Sequence, residues 1–290
     1  MIPTFPHCFN APSRAAILAC ALLGTACTSL SQRTPPTSPK EVGELREGSG
    51  YLKGYLASAE LPDSLALLPP PPEANSAALE DDKEAFRRLA TLRATPRGAL
   101  AVQDANLRFP AAAGTFSCAL GVRISEQDTP HLNMLLRRTL ADAGVATYRA
   151  KDHYQRTRPF VVMSSTSCTP KDEAVLAKDG SYPSGHSALG WAWALVLTEV
   201  APERTDALLQ RGRAFGQSRA ICGVHWASDV EAGRLMGAAA VARLHTNPVF
   251  TAQLDLAREE VGRARRNGLA PAGDCAAEAQ ALQQGSALAP

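Results

Sequence analysis

Between Leu189 and Val200 the chain reads LGWAWALVLTEV, in which Leu189, Trp193, Val196, Leu197 and Val200 return at intervals of three and four before Pro202 closes the run. That period places all five on one face of a helix, whereas alternation by two would mark a strand. The pattern repeats along the chain. In DTPHLNMLLRRTLADAG, Thr129 is the expected cap, Pro130 takes the first helical position, Leu132, Leu135, Leu136 and Leu140 share a face, and Gly144 is the expected stop. Three further stretches, from 203, 229 and 248, read as helices joined by short turns. Asn75 or Ser76 caps another after the four prolines at 69–72. No segment pairs strand alternation with hairpin residues. The expected fold is all-α, a single-domain helical bundle over 51–266, with small residues from Gly237 to Ala240 permitting close helix approach.

The ends carry a different composition. Arg14 precedes the apolar run AAILACALLG, too short for a permanent anchor, and small residues follow it, so residues 1–27 read as a signal segment. Cys27 directly after GTA is either the acylated cysteine of a lipoprotein signal, giving a lipid anchor, or lies beside an ordinary cleavage point. Both routes imply export, to a periplasmic location that is either soluble or lipid-anchored to the envelope. Residues 28–50 are poor in apolar side chains and read as a flexible linker, and 267–290 as a low-complexity tail that frays except where Cys275 pins it. Cys118, Cys168, Cys222 and Cys275 suit disulfides in an exported chain, with three pairings open. A net charge of +2 with 20% charged residues points to no nucleic-acid polymer as partner. An exposed apolar helix face would make a homodimer; the sequence does not choose the oligomeric state.

Chemistry concentrates in three clusters. KDHYQRTRPF supplies Lys151, Arg156 and Arg158. YPSGH starts a helix at Ser184, where unpaired backbone N–H groups and the helix dipole favour an anion and Gly185 leaves the backbone approachable; His186 stands at the mouth. SRAICGVHWASD supplies Arg219, His225 and Asp229. At a spacing of four, His225 and Asp229 share one face if helical, and a carboxylate on one imidazole nitrogen leaves the other free as a nucleophile.

Lys151, six residues, RP, then PSGH at 183–186, then Ser218–Arg219, five residues, His225, three residues and Asp229 resemble the three-part signature of the superfamily of type 2 phosphatidic acid phosphatases and vanadium haloperoxidases. LPDSLALLPPPP, AKDHYQRTRPF, DGSYPSGHSALGWAWALVL and GQSRAICGVHWASDVEAGR resemble the class A bacterial non-specific acid phosphatases, over roughly residues 50 to 265. The resemblance implies a broad phosphomonoesterase working at acidic pH on small-molecule phosphate esters. In it His225 becomes a phosphohistidine, Asp229 orients it, and His186 protonates the leaving alcohol. Lys151, Arg158, Ser184, Gly185 and Arg219 hold the phosphate oxygens. No metal or cofactor is implied, vanadate is expected to inhibit, and alcohols can compete with water as acceptors. The same cage would serve a vanadium haloperoxidase, and a third reading is a phosphate-binding envelope lipoprotein without turnover. Tyr154, Tyr182 and Trp226 are either substrate-stacking rings or core.

Overall fold

Apolar residues at three-and-four spacing require neighbours of the same kind, and the chain supplies them as helices: α1 (Ala77–Ala90), α2 (Pro96–Asp104), α3 (Pro130–Val145), α4 (Tyr148–Tyr154), α5 (Gly185–Val200), α6 (Thr205–Ile221), α7 (Ala227–Leu244), α8 (Pro248–Arg266) and α9 (Cys275–Ser286), among the longer ones. The structure is a computed structural model that describes residues 34–286. Among these there is no strand, only an isolated bridge between Glu44 and Leu52. The fold is all-α, as expected. The expected signal segment and Cys27 lie outside the described residues.

Helix α5 is the central element and packs against α3, α6, α7 and α8. Its most buried ring, Trp193, meets Phe109 and Phe116 edge-on and donates from Nε1 to the Leu136 carbonyl at 2.8 Å. That bond satisfies a polar group inside an otherwise apolar core. Helix α7 approaches α5 through Gly233 and Gly237. A Cβ on Gly233 would stand 2.4 Å from the Ser184 carbonyl oxygen, and one on Gly237 2.3 Å from that of Ala188, so only glycine permits this contact.

Several caps follow the sequence. Ser76 Oγ accepts from Leu79 N–H at 3.1 Å, and Asn247 Oδ1 accepts from Val249 and Phe250. Thr129 does not cap α3 with its side chain, and the helix continues one residue past Gly144. The first N–H groups of α3 donate instead to Glu260 of α8, from His131 at 3.0 Å and Leu132 at 2.9 Å. A carboxylate on a helix N-terminus satisfies both the orphan donors and the dipole, and here it comes from 128 residues away.

Two segments expected to be flexible are ordered where described. Within 34–50, Pro35 is buried, a short helix spans Pro39–Val42, Leu45 N–H donates to the Tyr51 carbonyl at 2.7 Å, and Ser49 N–H to that of Arg46 at 3.0 Å. Arg108 stacks on Tyr51 and donates to the Ser49 carbonyl, bracing the segment from outside its own sequence. The tail forms α9: Asp274 Oδ1 accepts from Ala277 N–H, Glu278 lies 3.5 Å from Arg211, and Ala281 is buried. Disulfides join Cys118 to Cys275 and Cys168 to Cys222. Composition alone misses both segments, because their anchors are distant residues.

Candidate active site

Two helix N-termini meet at the site. Ser184 precedes α5 and its N–H donates to the Asp229 carbonyl of α7 at 2.9 Å, fixing the two helix starts against each other. His225 precedes α7 and Asp229 lies in its first turn, so the pair meets around the helix start and not along a helix face, correcting the helical reading. Nδ1 of His225 lies 3.5 Å from Asp229 Oδ2, and Nε2 lies 3.2 Å from Arg158 Nη1. A guanidinium can only donate, so Nε2 presents its lone pair and Nδ1 carries the proton, facing the carboxylate.

Asp229 is fully buried. Oδ2 accepts from Trp226 N–H at 2.8 Å, and Oδ1 pairs with Arg156 at 2.5 Å. Arg156 in turn bonds Ser228 and Asp82, whose carboxylate also takes the Ser228 N–H and hydroxyl. Burial raises the Asp229 pKa and Arg156 opposes it. Arg156 and Asp82 had no assigned role from sequence. Asp82 reaches Ser228 across 146 residues, a pairing without any local signal.

His225, His186, Lys151, Arg158, Arg219 and Gly185 line one cavity of about 510 Å³. Ser184 is buried beneath it as the N-cap of α5, its Oγ accepting from Ser187 N–H at 3.3 Å. Where a side chain at 185 would point, the first atom met is Thr147 Oγ1 at 3.7 Å, so the backbone there is approachable. Asp179, unassigned from sequence, holds Arg158 at 2.9 Å and Lys151 at 3.8 Å. Lys151 Nζ also donates to the Gly180 carbonyl at 2.7 Å. Burial pulls the Lys151 pKa down to about 8 despite Asp179. Arg219 is 3% exposed, and its Nε and Nη1 have no hydrogen-bond partner. Burial and Arg158 lower its pKa to about 10. A buried guanidinium with unmet donors facing a cavity fits an anion arriving there.

His186 Nε2 lies 3.2 Å from the Ala105 carbonyl, to which it donates. Ala105 follows Asp104, whose carboxylate binds Arg211 at 2.5 and 3.1 Å and the Ser218 hydroxyl at 2.5 Å. Burial lowers both histidine pKa values well below the ordinary range, helped at His186 by Arg219 and at His225 by Arg158. Tyr154, Tyr182 and Trp226 are packing residues, the second of the two readings open from sequence. Tyr182 donates to the Pro69 carbonyl, Trp226 donates to that of Thr157, and Tyr154 packs edge-on against Tyr182. The rings that do line the cavity are Tyr51 and Tyr148.

This chain is similar to several known proteins. The PAP2 superfamily pattern matches residues 132–250. A non-specific acid phosphatase of Providencia stuartii is 47% identical over 213 residues, 73% of this chain and 86% of that protein. One from Salmonella typhimurium is 47% identical over 67% of this chain and 78% of its own. An acid phosphatase of Zymomonas mobilis is 40% identical over 72% and 79%. A bacterial vanadium-dependent iodoperoxidase superposes with a TM-score of 0.47 at 18% identity, covering 62% of this chain and 52% of that one. At these identities and coverages the chain belongs to the bacterial non-specific acid phosphatase family of the PAP2 superfamily.

Proposed function

We propose that the protein is an exported, periplasmic phosphomonoesterase that hydrolyses a broad range of small phosphate esters at acidic pH through a phosphohistidine at His225. The observation that carries the reading is the buried, under-bonded Arg219 guanidinium in one cavity with the His225–Asp229 pair. Phosphoryl transfer needs mainly positioning and neutralisation of charge on three oxygens. Arg158, Arg219, Lys151 and the amide of Gly185 are placed to do this, which is why metal independence is part of the proposal.

In the first step the Nε2 lone pair of His225 forms the N–P bond as the ester P–O bond breaks, while Asp229 steadies the Nδ1 proton and the developing positive ring. The leaving oxygen takes a proton from His186. With Nε2 donating to Ala105, Nδ1 delivers it from the imidazolium form, which a bound phosphate dianion favours against the burial that depresses this histidine in the empty site. In the second step water attacks phosphorus, His186 takes the water proton, and the N–P bond breaks. An alcohol in place of water yields phosphotransfer. Vanadate, in trigonal-bipyramidal form, would occupy the same cage and inhibit.

Denaturing the enzyme in alkaline detergent during turnover of ³²P-labelled p-nitrophenyl phosphate tests this reading. Acid-labile label on the wild type, its absence in His225→Ala, and turnover undiminished by chelator are expected. In His186→Ala, loss is expected to be larger for an alkyl phosphate than for p-nitrophenyl phosphate, whose leaving group needs no proton. Turnover without any phosphoenzyme would overturn the mechanism.

A further inference from the structure

The cavity extends beyond the groups that hold phosphate, and the segment 43–52 supplies part of its outer wall through Leu45, Arg46 and Tyr51. This wall is a built turn. Arg46 O accepts from Ser49 N–H, Leu45 N–H donates to Tyr51 O, and Glu44 pairs with Leu52. Gly50 N–H donates to the Glu44 carboxylate at 3.1 Å, and Arg108 braces the turn from beneath. Arg46 is exposed and, among the described residues, forms no side-chain ion pair. Tyr148, 46% exposed at the start of α4, also lines the cavity, and Arg46 acts on its hydroxyl electrostatically. Asp179 is the only carboxylate among the lining residues, and Lys151 and Arg158 already hold it.

Resting on the phosphatase reading, we infer that Arg46, with Tyr51 and Tyr148, forms a leaving-group subsite selecting phosphate esters whose leaving group joins an aromatic ring to a second anionic group. Each feature has a counterpart in that ligand. A cavity of about 510 Å³ falls within the range that encloses ring-sized molecules, larger than phosphate requires. The two tyrosines offer ring faces and edges for stacking. Arg46 offers a planar pair of donors matched to a carboxylate, at a rim where Asp179 is too committed to repel it. Because the rim is solvated, the gain is modest and sensitive to salt.

The test compares kcat/KM for 4-carboxyphenyl phosphate with that for phenyl phosphate, two esters differing by one carboxylate. The ratio in the wild type is expected to fall about fivefold in Arg46→Ala. It should fall further in Arg46→Glu, recover partly in Arg46→Lys, and shrink in the wild type at high salt. A ratio that stays the same in Arg46→Ala and Arg46→Glu while phenyl phosphate is still hydrolysed overturns the subsite and leaves the phosphatase reading standing. Failure of the wild type to hydrolyse phenyl phosphate at all overturns the phosphatase reading itself.

Discussion

His225 shows how a side chain gains a role from its surroundings. Arg158 on Nε2 and Asp229 beside Nδ1 leave one tautomer, with the lone pair turned to Arg158 at the cavity wall and the proton to the carboxylate. Asp229→Asn removes the negative charge beside Nδ1, so the imidazole loses the stabilisation of its charged form. The expected outcome is a fall in kcat of roughly 10³–10⁴-fold with KM little changed. Steady-state kinetics, with circular dichroism to establish folding, check it. The amide retains an oxygen for Trp226 N–H, which makes it a cleaner probe than alanine.

At the scale of elements, the site depends on how closely α7 lies on α5. Gly233 stands against Ser184, the residue that caps the phosphate-facing helix start. Gly233→Ala therefore moves the cage itself: a loss of about 1–3 kcal/mol in stability is expected, accompanied by a fall in activity. Denaturant titration and kcat/KM on the same preparation check the pairing of the two effects. Helix α9 is a different case. Its Glu278 meets Arg211, which reaches the Asp104–Ser218 pair behind Ala105 and His186, but the helix itself lines no part of the catalytic cavity. Cys275→Ser opens a loop of sequence separation 157. Chain entropy assigns such a closure about 5 kcal/mol. A lower denaturation midpoint with retained turnover is the expected result.

For the whole molecule, the buried histidines set a pH dependence. Both have folded-state pKa values below the ordinary 6.5, so the unfolded chain binds more protons than the folded one as the medium becomes acidic. Their contribution to stability is present above about pH 6.5 and is lost as pH falls through the depressed folded values. A melting temperature that declines below pH 6.5 is expected, with a shallower decline in His186→Gln. Saturating vanadate should restore part of it by binding only the folded form. At the alkaline end Lys151, with its pKa near 8, is expected to lose its charge, and inhibition by inorganic phosphate is expected to weaken with it.

The helical periodicity from Leu132 to Val200 and beyond, a cap at Asn75 or Ser76, and the three clusters around Lys151, His186 and His225 were readable from the chain alone, because each rests on spacing within a single segment. Lys151, Arg158, Gly185, His186, Arg219 and His225, named from spacing that resembles a known family, line one cavity, whereas Ser184 and Asp229 lie buried behind it. What only the tertiary structure decided involves partners far apart in the chain. These are the Glu260 cap on α3, the Asp82–Arg156–Asp229 chain, Asp179 between the cations, the disulfide partner of Cys275, and the order of 34–50 and of the tail. The physical reason is the same throughout. A side chain's own neighbours determine its periodicity and cap, whereas burial, charge pairing and the free face of a tyrosine depend on what the folded chain brings against it.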